Sequence, residues 1–175
     1  LARNRTHVIR SQREPWGVTT PAKPLSDNDL SSLFVGNAIC WATIRMFRTI
    51  HRCRIPWVVE NPGTSLLWHI PFFVNLARHP TVQSVTIDQC SYGRKWRKIT
   101  RLLFGNVDAC DLECFSIRYC SGKGLCFWSQ KPHVQLTGSG ADGKPMTLHA
   151  QKFPTGLCRD IARVLLADTI HRRTC

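Results

Sequence analysis

The chain has 175 residues, about the length of one domain, and 43% of them are hydrophobic, which excludes a wholly disordered or fibrous protein. Its 24 Lys and Arg residues against 11 Asp and Glu give a net charge of +13, so nucleic acid is the first partner to consider. Nine cysteines, an odd number, favour free thiols or metal ligands in an intracellular, reducing setting over a disulfide framework.

Residues 1–25 combine prolines, glycine and arginines without a helical or strand period, which indicates an extended lead-in. This segment does not resemble a secretory signal. Apolar runs such as Ile55–Val59 are far shorter than the roughly 20 residues of a membrane-spanning helix. We therefore expect no transmembrane segment and an intracellular location, with the nucleus as one option. The chain begins at Leu1 rather than Met, which suggests a fragment.

A layered α/β core is predicted for residues 26–106. Ser26 is a suitable N-cap, and apolar residues then recur at helical spacing up to Phe47. The elements that follow are predicted as strand, helix, strand and strand at Ile55–Glu60, Ser65–Arg78, Val82–Asp88 and Ile99–Phe104. The order strand, helix, strand predicts a parallel pair joined by a crossover.

The C-terminal part of the chain is predicted to be an irregular segment followed by a helix. Residues 107–150 are rich in Cys and Gly, with one short strand predicted at His133–Leu136. Pro154 and the apolar residues after it predict an amphipathic helix over residues 154–170. The whole chain is thus expected to be one partial domain.

A carboxylate and an amide stand where the first predicted strand ends. Glu60 and Asn61 lie at the C-terminal end of that strand, where open α/β sheets place ligand-binding groups. The simpler interpretation is a Glu that caps a turn. Burial would raise the pKa of the Glu60 carboxyl, and a partly protonated Glu is able to pair with the amino group and ring nitrogen of cytosine.

The segment 89–101 places five cations around two aromatic rings, a combination able to hold phosphates and stack on bases. Its other interpretation is a solvated hairpin tip. The candidate nucleic-acid-binding residues are Tyr92, Arg94, Lys95, Trp96, Arg97, Lys98, Thr100 and Arg101.

Cysteines and a histidine cluster in the irregular segment. The tightest set is Cys120, Cys126 and His133, which suits part of a zinc site. Tetrahedral zinc needs a fourth ligand, and the candidates for it are Cys110, Cys114 and His149. Because no standard C-x2-C pair is present, buried free cysteines are the alternative.

Four blocks of sequence, taken in order, resemble the C-terminal half of DNA cytosine-5 methyltransferase-like proteins. The blocks are Glu60–Pro62, Thr86–Gly93, Trp96–Thr100 and Phe104–Asn106. The similarity is greatest to the divergent branch found in phages and mobile elements, and it covers residues 11–166. In that family a Tyr-Gly turn follows the Glu-Asn block, and a Lys-Thr or Arg-x-Arg block then enters an antiparallel strand.

This resemblance implies a partial Rossmann-like sheet with flanking helices, of the kind used by S-adenosylmethionine-dependent methyltransferases, and an irregular Cys-rich insertion. It implies that Glu60 binds a flipped cytosine and that Arg97, Lys98 and Arg101 position the base and the DNA backbone. The family's Pro-Cys nucleophile and its Gly-rich cofactor loop do not occur in this sequence. By family order both precede Leu1, so this chain alone is expected to be inactive.

A second hypothesis is a non-catalytic, basic, zinc-bearing module that binds nucleic acid and derives from a mobile element. Steep salt dependence of DNA binding is expected under both hypotheses. Arginines of the C-terminal helix leave an anionic membrane surface as a third partner, although the apolar face of that helix is expected to pack on the sheet.

Overall fold

A three-stranded sheet lies at the centre of the fold in the computed structural model, which describes residues 8–140 and 142–171. The strands, in chain order, are β1 (Trp57–Pro62), β2 (Val82–Asp88) and β3 (Ile99–Gly105). Their order in the sheet is β1-β3-β2, and β3 is antiparallel to both neighbours. Leu102 of β3 lies opposite Glu60 on one side and opposite Val85 on the other. Residues 1–7 of the predicted lead-in lie outside the described residues.

The predicted parallel strand pair is wrong. β1 and β2 do run in the same direction, because each is antiparallel to β3, but β3 separates them. The physical reason is the burial of β3, whose Leu102, Leu103 and Phe104 are all fully buried. Successive side chains of a strand point to opposite faces, so a strand with this pattern needs cover on both faces and takes the central place. The fold is mixed α and β, and the Rossmann-like sheet stays a prediction.

Helices cover both faces of the sheet and give three layers. In chain order they are α1 (Asp27–Arg52), α2 (Pro71–Leu76), α3 (Glu113–Ser116), α4 (Met146–His149) and α5 (Thr155–His171). α1 and α2 pack on the face that carries Val59 and Leu103. α3 and α5 pack on the opposite face, over Leu102 and Phe104. The apolar core therefore consists of two clusters with the sheet between them.

α1 begins where the sequence predicts. The Ser26 hydroxyl accepts from the backbone N–H of Asp29, whose carboxylate accepts from the backbone N–H of Ser26, which forms a capping box. Cys40, Ile44 and Phe47 of this helix are buried. By length and composition alone, α1 is also long and apolar enough to cross a membrane. Polar residues interrupt the apolar ones in α1, so a search for unbroken apolar runs does not detect this helix. The expected lack of a transmembrane segment therefore stays a prediction.

Two other predicted elements differ from the structure. The helix predicted at residues 65–78 is split into a 3₁₀ helix, Leu66–His69, and α2. Pro71 starts α2 because proline lacks an N–H and cannot continue the preceding helix. The strand predicted at residues 133–136 is wrong: Val134 donates one backbone hydrogen bond to the carbonyl of Lys95 (2.8 Å), and no strand forms there among the described residues. The C-terminal helix α5 lies within one residue of its predicted bounds.

Candidate metal centre and nucleic-acid interface

Three cysteines and one histidine meet at the end of the sheet. The ligand atoms of Cys90, Cys120, Cys126 and His133 all lie within 4.8 Å of one another. Cys120 Sγ and His133 Nε2 are 3.8 Å apart, and the three cysteines are each only 1% exposed. Tetrahedral zinc with Cys and His ligands separates its donor atoms by about 3.3–3.8 Å. This Cys3His cluster can therefore hold a metal ion with little adjustment.

Each ligand is positioned by a separate local structure. Cys90 lies in the 3₁₀ helix Gln89–Tyr92 directly after β2. The backbone N–H of Cys120 donates to Asp88 Oδ2 (2.7 Å), which fixes this ligand against the end of the same strand. The segment between the last two ligands closes on itself, because the N–H of Cys126 donates to the carbonyl of Lys131 (2.9 Å). The Cys3His cluster thus joins the irregular segment to the end of the sheet.

The fourth ligand predicted from sequence is wrong, and Cys90 takes its place. Cys110 is exposed and interacts with Asp108. Cys114 packs against the apolar core cluster under α5 and not against the Cys3His cluster. His149 pairs with Asp142. The candidates all came from the irregular segment or its end, whereas Cys90 lies in the 3₁₀ helix that follows β2. A Cys two residues beyond a predicted strand is the feature that could have indicated it.

The thiols of the cluster differ in acidity. Burial raises the pKa of the Cys90 thiol, and its hydrogen bond with Cys126 adds to this effect. At Cys126 burial acts in the same direction, but hydrogen bonds from the side chain and backbone of Ser129 and the backbone of Trp128 lower the pKa to about 6. The lowered pKa favours the thiolate form of Cys126, which is the form in which a thiol binds a metal.

Glu60 occupies a partly buried position on β1, on the sheet face covered by α5. Its Oε1 atom is buried and has no hydrogen-bond partner among the described residues. Burial raises the pKa of the Glu60 carboxyl, and the nearby charge of Lys98 opposes this rise. Strand alternation places Asn61 on the other face, opposite Arg101, so the two residues predicted to act together do not share a face.

A second buried acceptor without a partner among the described residues lies at the same end of the sheet. β1 and β2 run in the same direction, so Glu60 near the end of β1 and Gln89 just beyond β2 lie toward the same end. Gln89 Nε2 is 3.3 Å from Thr100 Oγ1, and Gln89 Oε1 is buried with no partner among the described residues. Buried acceptors are usually paired, so each oxygen is a candidate acceptor for an N–H donor of a ligand that gains access to it.

Several predicted nucleic-acid-binding residues have structural partners instead. The Tyr92 hydroxyl lies 3.0 Å from Asp160 Oδ2 of α5. Thr100 is fully buried. Arg97 Nε donates to Asp88 Oδ1 at 2.9 Å, so this arginine supports the acid that holds Cys120.

Arg101 and Lys98 occupy different surroundings. Arg101 Nε donates to Ser84 Oγ (3.0 Å), and its guanidinium lies over the Trp68 ring at 4.9 Å. Lys98 stays beside Glu60, with its Nζ 3.4 Å from the carbonyl oxygen of Ala150. Of these two predicted binding residues, only Lys98 is next to the candidate base site.

The remaining three, Arg94, Lys95 and Trp96, line one wall of a basic cavity of about 780 Å³. The other wall belongs to the loop before and around α4, including Lys144 and Lys152. Trp96 is 9% exposed and the Arg94 guanidinium lies 5.6 Å from its ring centre. The Trp96 ring therefore supports the cavity wall and does not present a free face for base stacking.

Comparison with known proteins gives no match: no protein-family model, no curated protein and no solved structure matches the chain. The resemblance to methyltransferase-like proteins therefore stays a prediction.

Proposed function

We propose that the chain binds DNA and holds an extruded cytosine on Glu60, as the base-binding part of a DNA cytosine-5 methyltransferase-like protein. The observation that carries this proposal is the partly buried Glu60 carboxyl, whose Oε1 has no hydrogen-bond partner in the part of the chain that the structure describes. The net charge of +13 supplies attraction for the DNA backbone.

The chemistry of Glu60 suits cytosine. Burial raises the pKa of this carboxyl, which increases the fraction that carries a proton near neutral pH. A protonated carboxyl donates to the ring nitrogen of cytosine while its other oxygen accepts from the exocyclic amino group. Thymine presents a carbonyl oxygen and a ring N–H at the same positions, so its donors and acceptors are reversed. Reaching the base requires that it leave the duplex stack.

The local topology agrees with the resemblance at two points. Gly93 has φ 82° and ends the 3₁₀ helix after Ser91 and Tyr92, which gives a Tyr-Gly turn. Lys98 leads into β3, which is antiparallel to both neighbours, as the family's Lys-Thr block does. These features support the proposal through the order of elements around Glu60.

We also propose that the Cys3His cluster holds a structural Zn²⁺. Thiolate and imidazole ligands favour zinc over Mg²⁺ or Ca²⁺, which prefer oxygen. The ligands come from the end of β2 and from the irregular segment, so the metal would fix that segment beside the basic residues 94–98.

S-adenosylmethionine, which the resemblance implies, does not fit the residues that the structure describes. β1 leads through Gly63 into the 3₁₀ helix Leu66–His69, and β2 leads directly into another 3₁₀ helix. Within residues 8–140 and 142–171, no strand runs through a glycine-rich loop into the N-terminus of an α-helix, which is where such folds hold a nucleotide cofactor. We therefore derive no methyl-transfer step for this chain.

The test compares binding of two duplexes by fluorescence anisotropy, one with cytosine and one with thymine opposite an abasic site. We expect about tenfold tighter binding of the cytosine duplex, because one good bidentate pair discriminates between bases by ~1–3 kcal/mol. Glu60→Leu should remove this preference. Glu60→Gln should retain it, because an amide presents the same donor and acceptor as the protonated acid.

Glu113→Leu is the matched control, since Glu113 is exposed on α3. If the wild-type chain binds both duplexes equally, the base-binding proposal fails. If it also shows steep salt dependence, the second hypothesis of a non-catalytic nucleic-acid-binding module is favoured. The basic cavity is the observation that supports this second hypothesis.

A further inference from the structure

We propose that the basic cavity between residues 93–96 on one side and residues 140 and 142–152 on the other binds a phosphate group of the DNA backbone. This inference rests on the proposed nucleic-acid binding and adds a defined contact site to it. The cavity is separate from the metal centre, because none of the four metal-ligand residues lines it.

Charge is the first reason for this assignment. Arg94 and Lys95 project from one wall, and Lys144 and Lys152 from the other. Asp142 is the one acidic residue among the described lining residues. Its carboxylate lies 3.2 Å from His149 Nε2 and accepts from the backbone N–H of Lys144 at 3.2 Å. The cavity therefore keeps a net positive charge that suits an anion.

Unpaired donors are the second reason. Arg94 Nε and Trp96 Nε1 are buried and have no hydrogen-bond partner among the described residues. A buried N–H group without an acceptor is unfavourable. Both side chains line the cavity, so a bound phosphate, which is a strong acceptor, would favour a small side-chain shift that pairs them. Arg94 also donates from Nη2 to the carbonyl of Lys152 (2.9 Å), so its guanidinium already bridges the two walls.

Size and lining favour a nucleotide unit over an isolated ion. The volume of about 780 Å³ has room for a phosphate with its sugar. Met146 and Leu148 contribute apolar surface to the same wall as Lys144, against which the carbon side of a sugar is able to lie. An isolated inorganic phosphate would leave this surface uncovered.

The position of the cavity connects it with Glu60. Lys98, which lies beside Glu60, has its Nζ 3.4 Å from the carbonyl oxygen of Ala150. Ala150 follows α4 directly, within the loop that forms the second cavity wall. A DNA strand with its base at Glu60 is therefore able to place a neighbouring phosphate in the cavity.

The experiment measures duplex affinity against salt concentration for the wild-type chain and the double variant Lys144→Gln/Lys152→Gln. Each lost phosphate contact lowers the slope of log K against log salt by about 0.9. Both lysines face the same phosphate, so the double variant should lose up to about 0.9 from the slope. The matched control, Lys23→Gln/Arg78→Gln, removes the same charge from exposed positions outside the cavity and should retain a steeper slope. Circular dichroism establishes that each variant is folded.

The outcomes separate this inference from the proposed function. If the wild-type chain binds no duplex, the proposed function fails and the cavity assignment fails with it. If the wild-type chain binds but the cavity and control variants have equal slopes, only the cavity assignment is overturned. Inorganic phosphate provides the last arm: saturable binding of phosphate at the cavity without a change in the slope for DNA would overturn the assignment to the DNA backbone.

Discussion

The sheet with its covering helices and the irregular segment that follows α3 are stabilised by different interactions. Around the sheet, two apolar clusters cover β3 on both faces, and Leu102, Leu103 and Phe104 are fully buried. In the irregular segment after α3 the buried cluster is small: Cys120 and Cys126 meet Cys90 from the end of β2, with Trp128 packed against them. Apolar burial is able to stabilise the first region, whereas the second has little buried apolar surface and, in our proposal, is stabilised by a bound metal. A treatment that removes the metal should therefore separate the two regions.

The largest effect is expected from loss of a metal ligand. Cys126→Ser should reduce bound zinc from about one per chain to a small fraction, because structural zinc binding is worth ~10–16 kcal/mol and depends on the full ligand set. Limited proteolysis should then cut residues 118–140 first, while the sheet signal in circular dichroism persists. Metal analysis of the purified protein provides the primary measurement.

Cys53→Ser is the matched control for this variant, since Cys53 is exposed and lies outside the cluster. Equal zinc content in the two variants would contradict the metal centre. A chelator that leaves the protease pattern unchanged would do the same.

A substitution in the apolar core should destabilise the sheet region and not act through the metal site. Phe104→Ala removes a fully buried ring from β3 and should lower the free energy of unfolding by ~3–5 kcal/mol. Urea unfolding followed by tryptophan fluorescence measures this loss. Phe127→Ala, at a position that is 67% exposed, is the control and should change stability by less than about 0.5 kcal/mol. A similar loss for both variants would place the core elsewhere.

Asp88 links the two regions, so its substitution should affect both to a smaller degree. Its carboxylate accepts from Arg97 Nε and from the backbone N–H of Cys120. Asp88→Asn should cost about 2 kcal/mol of stability and weaken zinc binding about 10-fold, as expected for a group that orients a ligand. Competition with a chromogenic chelator measures the zinc affinity. Asp111→Asn serves as the control, and unchanged zinc affinity in Asp88→Asn would mean that the two regions are independent.

The smallest expected effect is a pH dependence at Glu60. Burial raises the pKa of this carboxyl in the folded chain above its unfolded value. The folded state then binds the proton more tightly, so the stability contribution of Glu60 is greatest below the unfolded pKa and falls as pH rises through the folded pKa. Binding of unpaired cytosine should weaken over the same range. Glu60→Gln should have flatter profiles than Glu113→Gln in both urea unfolding and anisotropy, and parallel profiles would remove the role of Glu60.

Local features of this chain were predictable from sequence, whereas long-range ones were not. The start of α1 follows from Ser26 and Asp29, whose capping interactions are with each other. The order of the strands is long-range information, because it depends on which strand the helices bury on both faces. The residues of the Cys3His cluster also divide into local and long-range ones. Cys120, Cys126 and His133 are near one another in sequence and were predicted together, whereas Cys90 is distant and was not.

The environment of the binding residues was the least predictable part. The sequence indicates that residues 94–101 are basic, but it does not indicate that Arg97 pairs with Asp88 or that Arg101 lies over Trp68. Those partners come from other strands and helices and become neighbours only in the fold. The second cavity wall, with Lys144 and Lys152, was missed for the same reason.

The division of metal ligands between the sheet and the irregular segment also sets an order of events in folding. Three ligands lie close in sequence and can meet early, because short loops close quickly. Cys90 joins them only when the end of β2 is in place, and within the described sheet β2 pairs with β3 alone. Full metal coordination should therefore come late in refolding. A metal probe that is sensitive to thiolate binding, such as cobalt, would then measure the time at which β2 pairs with β3 during refolding.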